Sequence, residues 1–134
     1  MKGFVAGIKS LAEGNRDFRR VLYTGQHLQL VLMSLEPGDD IGEEVHADHD
    51  QFFRIEKGKG EIWINGICTM VRHDDAFIVP AGARHNLVNT GEKTLKVYTI
   101  YGPPDHRDGV VRRTKSAAMA EPEAFDGQTS EPRP

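Results

Sequence analysis

From residue 21 to about residue 101 the chain alternates short apolar or apolar–polar runs with turn residues, and helical periodicity is nearly absent. That pattern predicts many short strands arranged as a sandwich or barrel. The runs are 28–35, 43–46, 51–56, 61–65, 67–71, 76–79, 85–89 and 95–101, rich in the β-branched and aromatic residues that suit a pleated, half-buried surface. Between them stand Pro37-Gly38, Lys57-Gly58-Lys59-Gly60, Asn65-Gly66, Ala81-Gly82 and Thr90-Gly91. Asn65-Gly66 is the sharpest of these signals, because a two-residue type I′ hairpin turn needs positive φ at both central positions and this dipeptide tolerates it.

Residues 115–134 differ in character: three prolines, four acidic residues and little apolar content predict a flexible tail behind a working domain of residues 1–114. A chain of 134 residues, 38% hydrophobic and 28% charged, has the make-up of one globular domain. Seventeen Lys+Arg against 20 Asp+Glu, with no dense basic run, argue against nucleic acid or an anionic membrane as partner. The apolar run at 28–35 is interrupted by Gln29 and Ser34 and is too short to cross a bilayer as a helix. Near the N-terminus Lys9 breaks the apolar run of Phe4, Val5, Ala6 and Ile8, so an export signal is not expected. Cys68, the single cysteine, cannot form an intrachain disulfide. The core or a metal must hold the fold, and a reducing, cytoplasmic setting is the expectation.

The chemistry concentrates in 44–53, which reads Glu-Val-His-Ala-Asp-His-Asp-Gln-Phe-Phe. If Ala47 to Asp50 form a four-residue hairpin loop, His46 stands opposite Gln51 and Glu44 opposite Phe53, and strand alternation puts all four on one face. Carboxylate, imidazole and amide then converge as a metal site built on a β scaffold. A second segment, 75–89, is a buried strand, a Pro80-Ala81-Gly82 turn and His85 opening the next strand.

These two segments resemble the paired motifs of the cupin superfamily. Gly38 falls at the opening glycine of the first motif, and Gln51 and Gly58 keep the spacing of its glutamate and closing glycine. Pro80, Gly82, His85 and Asn89 match the second motif from its proline onward. The resemblance implies an all-β, single-domain jelly-roll barrel binding one divalent metal ion through Glu44, His46, Gln51 and His85. Glu44 stands where the family has its first histidine, Gln51 where it has its glutamate, and Asp74 where a glycine opens the second motif. The ligand set keeps one carboxylate and therefore the same charge. Oxygen and imidazole donors suit Zn, Mn, Fe or Ni without choosing among them. His49, three residues after His46, is an alternative ligand. An empty barrel in which Glu44 and Gln51 only satisfy buried polar groups is the other reading, and His27, His73 and His106 read as surface or loop residues.

The chain up to about Lys115 also resembles small stand-alone bacterial cupins often called mannose-6-phosphate isomerase-like, through the stretches 21–25, 41–46 and 98–104. Cupin-type phosphomannose isomerases bind zinc through two His, one Glu and one Gln, the inventory found here. The resemblance implies a metal-dependent isomerase or epimerase of a small sugar-like substrate, with Phe53 and Ile55 facing the pocket and Arg84 as the nearest cation in sequence. A non-haem iron dioxygenase using Glu44, His46 and His85 is the alternative, and a non-catalytic metal- or ligand-binding barrel is a third reading. Exposed sheet edges in so small a sandwich predict a homodimer, with residues 1–10 and 98–104 pairing between subunits.

Overall fold

A computed structural model describes residues 1–132. The strands are β1 (Arg19–Thr24), β2 (Gln29–Leu35), β3 (Glu44–Val45), β4 (Asp50–Lys57), β5 (Lys59–Ile64), β6 (Ile67–Arg72), β7 (Ala76–Val79), β8 (Arg84–Val88), β9 (Leu95–Gly102) and β10 (Val111–Arg112). Short helices α1 (Ile8–Gly14) and α2 (Lys115–Ala120) flank them. All pairings between strands are antiparallel, and they form a six-stranded sheet, β10-β1-β2-β9-β4-β7, and a four-stranded sheet, β3-β8-β5-β6. This is the all-β jelly roll that the alternating pattern predicts.

β9 shows why the pattern folds this way. Leu95, Val97, Thr99 and Tyr101 are buried and the residues between them are only half-buried, as period-two alternation requires. β2 is buried almost throughout, because Val31, Met33 and Leu35 join the core between the sheets while α1 packs on the outer side, over Leu32. Asn65 (φ 49°) and Gly66 (φ 81°) join β5 to β6 with the two positive φ values expected of this dipeptide. Gly60 has a different reason to be glycine: a Cβ there would lie 2.3 Å from the Val88 carbonyl oxygen of neighbouring β8. We expect Gly60→Ala to force β5 and β8 apart and cost about 1–3 kcal/mol. A melting temperature equal to that of the unsubstituted protein would show that the sheet accommodates the methyl group.

The structure corrects three expectations. Ala47 to Asp50 do not form a hairpin loop joining the strands around them, because β3 and β4 belong to different sheets. Glu44 pairs with His85 on β8, and Gln51 pairs with Val79 and Tyr101 in the facing sheet. Residues 98–104 cannot cover an edge, since β9 lies in the middle of the larger sheet between β2 and β4; residues 1–7 carry no strand. The described part of the expected tail, 115–132, lies against the barrel rather than free of it, and residues 133–134 fall outside the described residues.

Hydrogen bonds and ion pairs hold that segment where few apolar side chains could. Thr114 caps α2 by accepting from the Ala117 amide at 3.0 Å, and Ala118 is buried. Ser130 exchanges two 2.8 Å hydrogen bonds with the Thr24 backbone. The Glu131 carboxylate accepts from Tyr23 Oη (2.5 Å) and from the amides of Lys2 (2.6 Å) and Gly3 (2.8 Å), which ties residues 2, 3 and 131 together beside β1.

Candidate metal centre

Glu44 and His85 face each other across the β3–β8 pair, and His46 follows β3 on the same face as Glu44. The three side chains each offer a donor atom within 4.8 Å of the others. His46 Nε2 lies 2.9 Å from Glu44 Oε2, and this hydrogen bond raises the imidazole pKa against the opposing effect of burial. His85 is buried, which lowers its pKa and leaves the ring neutral at physiological pH. Its Nδ1–H donates to the Ala83 carbonyl at 3.2 Å. The lone pair is then on Nε2, which is buried with no partner.

Gln51 enters from the opposite sheet, and its orientation can be deduced. Thr99 Oγ1 donates its single proton to the Phe52 carbonyl at 2.8 Å, so toward Gln51 it can only accept. The Gln51 Nε2 amide therefore donates to Thr99 Oγ1 at 3.0 Å, and Oε1 is left buried without a partner. An orphaned imidazole nitrogen and an orphaned amide oxygen are both costly unless something binds them. Both are donor types that a divalent ion takes. The residues present therefore fit a metal ion on the evidence of their own unsatisfied atoms.

His49 stands outside this group. Its Nδ1–H donates to the Pro103 carbonyl at 2.7 Å and its Nε2 faces Asp105 at 3.5 Å. Of the expected pocket residues, Phe53 is fully buried, stacked on Phe77 with ring centroids 4.8 Å apart and edge-on to His85 at 6.5 Å. Ile55 is sealed in the hydrophobic core. Arg84 is corrected: it alternates with inward-facing His85, so its side chain points to solvent and pairs with Glu43 at 3.2 Å.

The sequence reading missed a polar layer beside the metal centre. Tyr101, the last inward residue of β9, sets its ring edge-on to His46 at 5.7 Å and to His106 at 5.1 Å. Alternation along β9 is the signal that could have found Tyr101. No local signal pointed to His106, which is buried rather than on the surface because the Gln29 side chain binds its backbone N–H (2.9 Å) and carbonyl (2.7 Å). His106 Nδ1 lies 3.1 Å from Glu123 Oε1 and donates to it, which makes Nε2 the acceptor for Tyr101 Oη at 3.3 Å. Asp105 sits among His46, His49 and His106 at 3.5–3.8 Å.

Burial and the nearby Arg19 charge push the His106 pKa down to about 3, while burial raises that of Tyr101. The sign of the consequence follows from linkage. Above the ordinary value of 6.5 neither folded nor unfolded His106 is protonated; as pH falls below it, the unfolded chain takes up a proton that the folded chain refuses until about 3. His106 therefore destabilises the fold progressively as pH drops through that window. In an NMR titration its ring resonances should stay flat from about pH 5 to 8, where an ordinary histidine would titrate. A midpoint near 6.5 would refute the buried neutral ring.

Among the described residues no helix is long and apolar enough to cross a membrane. The Cupin_2 family, described as the cupin domain, matches residues 31–101. The uncharacterized protein YrkC of Bacillus subtilis (strain 168) is 45% identical over 125 residues, 89% of this chain and 67% of that protein. The uncharacterized protein L612 of Acanthamoeba polyphaga mimivirus is 41% identical over 120 residues, 84% of this chain and 74% of that one. The crystal structure of BH2720 from Bacillus halodurans is similar with a TM-score of 0.88 and 44% identity, covering 90% of this chain and 96% of that chain.

Proposed function

The chain belongs to the cupin family, and from that premise we propose that it is a metal-dependent enzyme acting on a small, oxygen-rich, sugar-like substrate, with isomerisation or epimerisation as the reaction type. The observation that carries the metal reading is the pair of orphaned donors, His85 Nε2, which clusters with Glu44 and His46, and Gln51 Oε1 from the other sheet. When bound, a divalent ion supplies Lewis acidity to a carbonyl or hydroxyl oxygen of the substrate. The chain supplies the rest. Thr99 locks the Gln51 amide, Ala83 sets the His85 tautomer, and Phe53 walls the His85 side with apolar surface. Tyr101 Oη keeps its proton at physiological pH and shares it with His106, which Glu123 orients from behind.

The test is a panel of aldose and ketose phosphates offered to zinc- and manganese-loaded protein. Turnover, or a rise in melting temperature with substrate, supports the proposal; neither response to any sugar phosphate ends it. A second reading has its own support, because the three clustered groups are two histidines and one carboxylate, the donor set of non-haem iron oxygenases. Anaerobic iron loading followed by oxygen-uptake assays on diols, phenols and thiols decides it, and no uptake with any of them rejects it. Tight metal retention with no reaction in either assay identifies a binding protein.

A further inference from the structure

A cavity of about 330 Å³ lies between the mouth of the barrel and the C-terminal segment, and Glu44 of the candidate metal centre is in its wall. Arg19, His106, Lys115, Met119 and Glu123 are also in the wall, so the cavity runs from Glu44 to the residues just after α2. Its size suits a small molecule. The segment that looked like a tail forms one side of it.

Glu43, Glu44 and Glu123 place three carboxylates in this wall against the cations Arg19 and Lys115. Glu123, almost wholly buried, lies between two guanidinium groups, Arg112 Nη2 at 3.3 Å and Arg19 Nη1 at 3.7 Å, and Arg112 also has Glu121 Oε2 at 3.8 Å. The Arg19 pair is too long for a hydrogen bond, and Arg19 Nε is buried with no partner. Glu123 Oε1 accepts from His106 Nδ1, and Glu123 Oε2 is buried without a hydrogen-bond partner. Lys115, by contrast, is paired with Asp40. His106 stays neutral and adds no charge. One buried guanidinium is thus left without a hydrogen-bonded anion in the wall of a cavity that Glu44 also lines. Burying a cation in that state is expensive unless an anion joins it.

We propose that this cavity is the substrate pocket of the metal centre and that its occupant is a small oxyanion, a carboxylate or phosphate ester held by Arg19 at the end away from Glu44. The inference rests on the metal-enzyme reading above and narrows its substrate to acidic molecules such as sugar acids, hydroxy acids or sugar phosphates. It also moves substrate recognition from the Arg84 face to the space beneath α2. A guanidinium offers paired N–H donors that match a carboxylate or phosphate, which is why Arg19 rather than Lys115 is assigned the contact.

The experiment is calorimetric titration of full-length, zinc-loaded protein with malonate, inorganic phosphate and the neutral polyol xylitol, with zinc content measured on the same samples. We expect malonate or phosphate to bind at least about tenfold more tightly than xylitol, and Arg19→Gln to remove at least about tenfold of that affinity with zinc content unchanged. Arg19→Lys should recover part of it. Preference for malonate over phosphate assigns the site to carboxylates, and the reverse assigns it to phosphate. Xylitol binding as well as the acids, or acids binding equally to the Arg19→Gln protein, overturns the inference and leaves the metal centre standing. Loss of zinc from the unsubstituted protein sinks the metal reading instead, and the apo protein's own response to malonate still decides the role of Arg19. If Arg19→Gln does not fold, Arg19→Lys and the comparison of acids with xylitol carry the decision.

Discussion

Replacing His85 by alanine is expected to empty the metal centre. His85 Nε2 is buried and has no partner in the protein, so its lone pair has no other task, and its Nδ1–H is already committed to Ala83. Even a residue that only orients a ligand is worth roughly 10–100-fold in metal affinity, so losing a donor should cost at least about 100-fold. Elemental analysis of dialysed protein checks this directly, with Glu44→Ala and His49→Ala alongside. Glu44→Ala should also lose metal, since its carboxylate is the charged member of the cluster. His49→Ala should keep it, because that ring is turned to Pro103 and Asp105. Metal retained in His85→Ala but lost in His49→Ala would move the centre outward. Stability gives a second readout. An ion that binds only the folded state at 100 times its Kd adds about 2.7 kcal/mol, so a chelator should lower the melting temperature of the unsubstituted protein and leave His85→Ala unmoved.

Phe53→Ala is expected to be the most damaging core substitution. The ring has no solvent exposure, stacks on Phe77 and borders His85, so truncation removes a large buried surface and opens a cavity between the sheets. Phe-to-Ala changes in cores cost about 3–5 kcal/mol. For a domain of this size that corresponds to a fall in melting temperature of roughly 10–20 °C. Phe53→Leu, which keeps most of the volume, should cost about 1.5 kcal/mol or less. Thermal denaturation of the metal-free proteins measures both without interference from the ion. Similar losses for Ala and Leu would mean that the stacking on Phe77, rather than the filled volume, is what matters.

Much of the molecule was legible without coordinates because its information is local. Each run predicted between 28 and 101 overlaps an observed strand, since period-two burial writes itself into the order of side chains. The turn at Asn65-Gly66 was readable because few dipeptides accept two positive φ values. β1 and β10 escaped notice. β1 begins with Arg19 and Arg20, and its apolar residues do not alternate cleanly. β10 is two residues long and is defined by its pairing with β1.

The candidate centre shows the same division in sharper form. Glu44, His46 and Gln51 stood out by type and spacing and His85 through the resemblance to the second cupin motif, yet the hairpin argument that brought the first three together was mistaken. Glu44, His46 and His85 cluster because Glu44 meets His85 across one ladder, while Gln51 belongs to the other sheet. Alternation assigned an inward face in either case, which is why the residues could be named while their geometry could not. Arg19, His106 and Glu123 carried no such mark. They are far apart in sequence and meet only because residues after α2 fold back over the barrel mouth.

By itself the sequence determined the all-β class, the positions of β2 to β9, the tight turns and the donor types, since each is encoded in the order of neighbouring side chains. Only the tertiary structure decided which sheet holds each strand, the outward turn of Arg84, the burial of His106 and the docking of residues 115–132. Those depend on long-range pairing and desolvation, and the energy of a buried charge or an orphaned donor exists only once the chain has closed around it.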